Sequence, residues 1–567
     1  MEKLKTALQK VWPLWALALL IIRPRRFMLE YVHAFKDYRL FRDSVQPYLE
    51  FLKRQPVPMH VEAQKSLLVV VGQAMNAQWL QIWGVLGGWA RVEGYRVIAL
   101  TSRSRPIQNL YLRLFRFDLL YLEDMRINQT DVPPTVQAEF DRLETFRDFK
   151  EYEYQGMPLG KMALSTFSRH RATGIMDVAD PDSRNVVRHW LERFYQAIHV
   201  ADTIFTRERV SMLYFTEVFM EEYGAFYYAA LNRKLNIIRF AGTVRDNAIV
   251  VQHLNEESDR THFSSISPSS WAEILKAPDS LAMEAELDQN FLDRYGDRWA
   301  LSKRNQPNTW IMPCEEARAL LRVPEGRKIA VIYSHILYDT LFFNGEDLFD
   351  NYAEWLVRSV KAACANPQVQ WFVKVHPSNL WRGELEYYHG GKYEEVRLIE
   401  EYIGPLPDHV QMVYPDTPLS PYTWMQIADF GITVRGTSGI ELGALGKTVI
   451  TAGSGRYEGI GFSLNSSSVD EYLGVLARIP EVSAPTSEQT RLARRFAYAT
   501  FCMKPFTLDF LKPVTRSGRD KIFSSDDLVY LGQFDPNVTS PPSSIQRYST
   551  WCQDRGNTDF LNLWPQS

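Results

Sequence analysis

The stretch Ala428-Asp429-Phe430-Gly431-Ile432-Thr433-Val434-Arg435-Gly436-Thr437-Ser438-Gly439-Ile440-Glu441-Leu442-Gly443-Ala444-Leu445-Gly446-Lys447-Thr448-Val449-Ile450 compresses a strand, a turn, a helix and a second strand into one unit. Apolar and β-branched residues at 430–434 predict the first strand. Gly436 to Gly439 reads as a tight turn, residues 440–445 as a helix that Gly446 stops, and residues 448–451 as the next strand. A strand–turn–helix unit aims free backbone N–H groups and small hydroxyls out of the sheet edge, where an anionic phosphate is stabilised. Glu441 follows Thr437 by one helical turn, so it can accept hydrogen bonds from a ribose beside that phosphate. The unit reads as the nucleotide clamp of an open α/β domain.

Outward from the clamp, the pattern alternates strand and helix in two blocks. The nearer block has strands at 327–333, ending in Ser334-His335, at 370–375, running into His376-Pro377, and at 411–414. Helices at 350–365 and 419–428 lie between them. The earlier block begins with a buried strand at 66–72, a helix at 79–92 and a strand at 95–100. It resumes with strands at 212–215 and 236–240 flanking a helix at 225–233. Alternation of this kind predicts parallel, doubly wound sheets, whose ligands lie beyond the carboxyl ends of the strands. Gln73, Asn76 and Gln78 after the first strand are candidate acceptor contacts. The absence of G-x-G-x-x-G there gives no support to a dinucleotide site. Residues 107–200 and 255–310 read as mainly helical, the latter as a bridge. Past about Thr500 the periodicity fades, and the Pro- and Ser-rich run at 535–544 predicts an irregular tail. The resulting division is 1–58 (helical), 59–310 (acceptor side), 311–500 (nucleotide side) and 501–567 (extension).

Gly436-Thr437-Ser438-Gly439-Ile440-Glu441 with Ala444-Leu445-Gly446-Lys447, preceded by Lys374-Val375-His376-Pro377, resembles a family. It is similar to the donor-binding segment and the His-Pro motif of bacterial capsule polysaccharide biosynthesis proteins. These are glycosyltransferases of the GT-B fold and include capsule Kdo transferases. The resemblance extends over roughly residues 200–500. It implies two Rossmann-like domains facing a cleft, a nucleotide-sugar donor, and a saccharide or lipid-linked acceptor. The reaction it implies is metal-independent, inverting and without a cofactor.

Transfer from a nucleotide sugar requires a grip on the nucleotide, stabilisation of the departing phosphate, and a base for the acceptor hydroxyl. Thr437, Ser438 and Gly439 suit the grip. His335, Lys374, His376 and Arg435 stand at strand ends that can converge on the phosphate. Each has a plainer role open to it: a simple turn for His376, a solvated strand end for Lys374, and an ion pair with Asp429 or Glu441 for Arg435. The hydroxyls of Thr437 and Ser438 can also cap the helix. The base belongs on the first domain, where the candidates are Glu221 first, Glu217 second, then Glu222 and Asp246. The segment Glu221-Glu222-Tyr223-Gly224-Ala225 resembles the family's acceptor-side loop. Adjacent glutamates can equally be a solvated helix start, and Asp246 can pair with Arg245. The Gly-rich run 453–462 carries Arg456 and Tyr457 toward the donor or forms a surface loop.

Other classes are excluded or stand as rivals. A net charge of −3 gives no support for a nucleic-acid surface. The four cysteines, Cys314, Cys364, Cys502 and Cys552, are dispersed, which opposes a zinc site or disulfide framework and fits a cytoplasmic location. The carboxylates of Asp177, Asp180 and Asp182 read as a helix cap and not as a metal site. The apolar run 12–22, flanked by Lys3, Lys5, Lys10, Arg23, Arg25 and Arg26, is too short to span a bilayer. It fits either a helix lying in a membrane interface or one packed on the protein itself, with a signal anchor as a third reading. The rivals in function are a non-hydrolysing sugar-nucleotide epimerase, which needs no acceptor, and a catalytically silent assembly component.

Overall fold

The computed structural model describes residues 28–562 except 57–64, 72–76, 126, 128–129, 217, 220, 244, 297, 300–304, 306–307, 381–391 and 516–527, together with 13, 16, 17, 20 and 21. Glu217, Gln73 and Asn76 lie outside the described residues.

Two six-stranded sheets carry the fold. The first contains β1 (Ser66–Val70), β2 (Arg96–Thr101), β3 (Asp118–Tyr121), β4 (Val210–Phe215), β5 (Asn236–Gly242) and β6 (Ile249–Leu254). The second contains β7 (Ile329–Tyr333), β8 (Gln370–Lys374), β9 (Val410–Val413), β10 (Phe430–Thr433), β11 (Thr448–Thr451) and β12 (Ser463–Asn465). The order is β3-β2-β1-β4-β5-β6 in one and β9-β8-β7-β10-β11-β12 in the other, so each places its strands 3-2-1-4-5-6. This is the doubly wound order whose switch point lies between the first and fourth strands. All pairings within these sheets are parallel except β5 with β6.

Alternation along β7 and β8 divides the second core into two layers. Ala330, Ile332, Trp371 and Val373 pack on one side, and Ile329, Val331, Tyr333 and Phe372 on the other. Five-residue strands buried at every position read as continuous apolar runs, which is why these strands were legible. β3 and β6 escaped the pattern. β3 is only partly buried and closes an edge, and β6 carries the polar Gln252 and His253 in a buried strand.

The tail departs from the irregular chain expected. A strand pair, β13 (Leu511–Thr515) and β14 (Leu528–Gly532), and a helix, Ser543–Gln553, pack on the first sheet. Trp551 lies 4.1 Å from His253, ring to ring, and Tyr548 packs on Phe240. The prolines that suggested a loop start the helix instead, with Pro542 at its cap, where a missing N–H costs nothing. The amino-terminal helix α1 (Ala34–Arg54) covers the same face, setting Tyr48 against Phe510 and Phe51 against Phe534. A buried pair, Lys504 with Asp559 at 2.7 Å, ties the tail to the bridge. Asp559 also accepts from Ser267 N–H, and Lys504 donates to the Ser265 carbonyl.

The lobes touch along their facing edges. Phe219 stacks on Phe343 with centroids 4.6 Å apart, Lys150 meets Asp350, and Glu394 accepts from Thr173 and Gly174. His262 N–H donates to the Gly455 carbonyl at 2.7 Å, closing the bridge onto the Gly-rich loop.

Candidate functional site

The clamp helix α2 (Thr437–Ala444) starts three residues earlier than the sequence pattern predicts, because Gly439 N–H already bonds the Gly436 carbonyl. Thr437 and Ser438 therefore occupy its first two positions, and neither side chain caps it. Their N–H groups meet no acceptor among the described residues. Gly439 is required here: a Cβ on it would sit 2.0 Å from the Tyr457 hydroxyl, which donates to the Gly436 carbonyl.

Arg456 lies across this helix end. It donates to Thr437 Oγ1 at 2.7 Å, to the Arg435 carbonyl at 3.1 Å, and to Ser264 Oγ on the bridge at 2.6 Å. Its Nε is buried without a hydrogen-bond partner. Burial first, then Arg294 and Arg435, pull its pKa down to about 10. A guanidinium at the positive end of a helix dipole is unfavourable until an anion sits between them. The Gly-rich run thus carries Arg456 inward to the clamp and does not leave it on a surface loop. The signal that could have ranked it higher is its position in a loop whose glycines at 455, 459 and 461 take positive φ beside the clamp.

His335 follows β7 at the switch point and reaches β10. Its Nε2 accepts the Val434 N–H at 3.2 Å and lies 3.1 Å from Thr433 Oγ1, while Tyr352 stacks on the ring. Burial, then His376, Arg435 and Arg456, hold its pKa well below the ordinary imidazole value, so it is neutral near pH 7. His376 is fixed by its turn, with Ser378 N–H donating to its Nδ1 at 3.2 Å. Below both histidines lies Glu395, a residue that sequence reasoning missed. Its carboxylate is 1 % exposed and accepts from His376 N–H, Ser334 Oγ and Asn379 Nδ2. Burial raises its pKa to about 7. One buried carboxylate thus anchors the loops after both β7 and β8.

Other residues expected at the nucleotide are placed differently. Glu441 is 2 % exposed, and its Oε1 takes the Tyr295 hydroxyl at 2.5 Å and Arg294 at 2.6 Å. Burial raises its pKa against the pull of Arg294. Its carboxylate is held by the bridge helix α3 (Leu281–Tyr295), because the helix face carrying Glu441 packs inward. Arg435 pairs with Asp347, not with Asp429 or Glu441, and donates to the Phe343 and Glu346 carbonyls. It therefore braces the loop that touches the first lobe. Lys374 is no solvated strand end: it is 3 % exposed, opposite Tyr333 on the ladder, with an Nζ that has no hydrogen-bond partner. Burial alone lowers its pKa to about 8.

Across the gap, Glu221 opens helix α4 (Glu221–Asn232) with φ +50°, a conformation costly for a non-glycine residue and concentrated at functional sites. Its Oε1 lies 3.1 Å from Nε2 of His170, whose side chain is 49 % exposed and whose ring packs on Trp190. His170 was also missed by sequence reasoning, since its approach to Glu221 depends on how two distant helices meet. Glu222 is an ion-pair partner of Arg193. The carbonyl of Asp246 accepts from Tyr530 of the tail, so this loop sits under the β13–β14 pair. Asp180 caps its helix by accepting from Ser183 N–H.

The chain is thus an α/β protein of two doubly wound sheets, with Lys374 and Arg435 buried and His335 and Arg456 half-buried at the carboxyl edge of the second. No family model matches it, and none of the curated proteins does. Several solved structures do. A KpsC beta Kdo 2,4 transferase of Thermosulfurimonas dismutans is 14 % identical over 53 % of this chain and 83 % of its own, with a TM-score of 0.33. A UDP-GlcNAc 2-epimerase of Neisseria meningitidis, bound to UDP-GlcNAc, is 12 % identical over 76 % of this chain and 97 % of its own, with a TM-score of 0.26. The calicheamicin glycosyltransferase CalG4 is 12 % identical over 77 % and 94 %, with a TM-score of 0.26.

Proposed function

We propose that the protein is a glycosyltransferase that moves a sugar from a nucleotide-sugar donor to a saccharide or lipid-linked acceptor in surface polysaccharide synthesis. The observation that carries this reading is the amino end of α2, where two unpartnered N–H groups face Arg456. The donor phosphate displaces Arg456 from its protein acceptors and bonds both the guanidinium and the helix end. The C1–oxygen bond to that phosphate breaks as the acceptor oxygen attacks from the opposite face, inverting the anomeric centre. The acceptor proton passes to the Glu221–His170 pair, with the departing negative charge held by Arg456 and α2. The chemistry is metal-independent in this reading.

A cytoplasmic location, peripheral on the membrane face, fits the basic–apolar–basic amino terminus, where Leu17, Leu20 and Ile21 are exposed. No helix among the described residues is long and apolar enough to cross a membrane. A thermal-shift panel of CMP, CDP, UDP and GDP tests the nucleotide site, since stabilisation grows with affinity. At least one nucleotide raises Tm in the wild type and loses most of that effect in Arg456→Ala. Equal stabilisation of both proteins, or of neither, counts against the reading.

A further inference from the structure

Beside Arg456 lies a cavity of about 290 Å3, bounded by the bridge, the Gly-rich loop and Thr558-Asp559. Its lining is unusual in kind. Gln252, on β6, is 2 % exposed, and its Oε1 has no hydrogen-bond partner. Trp271 contributes an indole that packs edge-on against Phe496 at 5.6 Å, which fixes its plane. Glu257 and Glu458 stand exposed at the margin, and Asp559 lies in the wall with its charge already matched by Lys504.

We propose that this cavity is a saccharide-binding site for a neutral mono- or disaccharide. The proposal rests on the nucleotide-sugar reading for its role but not for its chemistry. A flat indole offers an apolar face to the C–H groups of a sugar ring. A buried carboxamide oxygen with no partner is destabilising, and a sugar hydroxyl donating to it removes that penalty. The marginal carboxylates accept further hydroxyl groups and repel sugar acids. The volume lies at the lower end of the range for small-ligand sites. Because Arg456 lines the cavity and also reaches Thr437, a sugar seated here is one side chain away from the phosphate seat. It is either the sugar of the donor or the end of the acceptor.

Saturation-transfer NMR on the full-length protein, with glucose, galactose, mannose, N-acetylglucosamine and lactose as probes and glucuronate as control, tests this. At least one neutral probe shows transfer. The signal falls several-fold in Trp271→Ala and in Gln252→Ala, while nucleotide-induced thermal shifts stay as in wild type. The second variant removes a side chain whose acceptor makes no bond in the protein, so it serves if the first fails to fold. No transfer to any neutral probe, equal transfer in wild type and Gln252→Ala, or equal binding of glucuronate overturns the proposal. Parallel titrations with UDP-N-acetylglucosamine against UDP, and GDP-mannose against GDP, separate the two sources. Loss of the free-sugar signal with a nucleotide sugar only marks the donor's sugar, and its persistence with both marks the acceptor's. A sugar response beside a flat nucleotide panel keeps this site and rejects the nucleotide reading.

Discussion

The two sheets share one strand order, yet their carboxyl edges hold opposite kinds of polar group. At the second edge, donors predominate and several have nothing to bond: the N–H groups of Thr437 and Ser438, Nε of Arg456, and Nζ of Lys374. At the first edge, the described candidate carboxylates are engaged: Glu222 by Arg193 and Glu221 by His170. The buried ones, Nε of Arg456 and Nζ of Lys374, are expensive to leave unpartnered, and such donors persist where a ligand completes them. The comparison supports the proposed anion binding at the second edge and the proposed proton chemistry at the first.

The sharpest way to break this division is at Glu221. Glu221→Gln should lower turnover about 10²- to 10⁴-fold while leaving nucleotide affinity unchanged, measured by steady-state assay beside calorimetry. A matched loss of affinity would place Glu221 at the nucleotide and dissolve the division. Next in size is Lys504→Met, which strands a buried Asp559 where tail and bridge meet. It should cost about 3–5 kcal/mol in urea denaturation. A loss below about 1 kcal/mol would show that the tail is no structural part of the first lobe.

Arg456→Ala should weaken binding of the stabilising nucleotide roughly 10- to 100-fold, about 1.4–2.8 kcal/mol, by calorimetry. The smallest effect is a slope. Glu395 has its pKa raised from 4.5 to about 7, so its contribution to stability is present below pH 4.5 and is lost as pH rises through 7. The groups that set this are its burial, the donors His376 N–H, Ser334 and Asn379, and the neighbouring charge of Glu394. Relative to Glu395→Gln, the wild type should lose Tm between pH 5 and 7.5, whatever the offset between them. Parallel pH profiles would mean that Glu395 stays unprotonated throughout, and that the second edge is less deeply buried than its packing indicates.

Much of the architecture was legible because buried parallel strands are short, mostly apolar and punctuated by turns. Residues 66–70, 329–333, 370–374 and 448–451 all show it. The glycines at 436 and 439 likewise marked the turn between strand and helix. The tail was misread because Pro542 and its serines carry the same local signal for a loop and for a helix start, and only the packing of Tyr548 and Trp551 on β5 and β6 distinguishes them.

By itself, then, the sequence determined two doubly wound sheets, the place of the clamp, and the strand-end histidines His335 and His376, since each is a matter of local period or of the chain leaving a strand. Tertiary structure alone decided which polar groups are free. Glu441 is taken by Arg294 and Tyr295 on the bridge, Arg435 by Asp347, and Glu221 meets His170, whereas Arg456 is carried from its loop onto the helix end. Spacing along a chain fixes direction within one element, but partnership between charges depends on burial and on contacts between segments far apart in sequence.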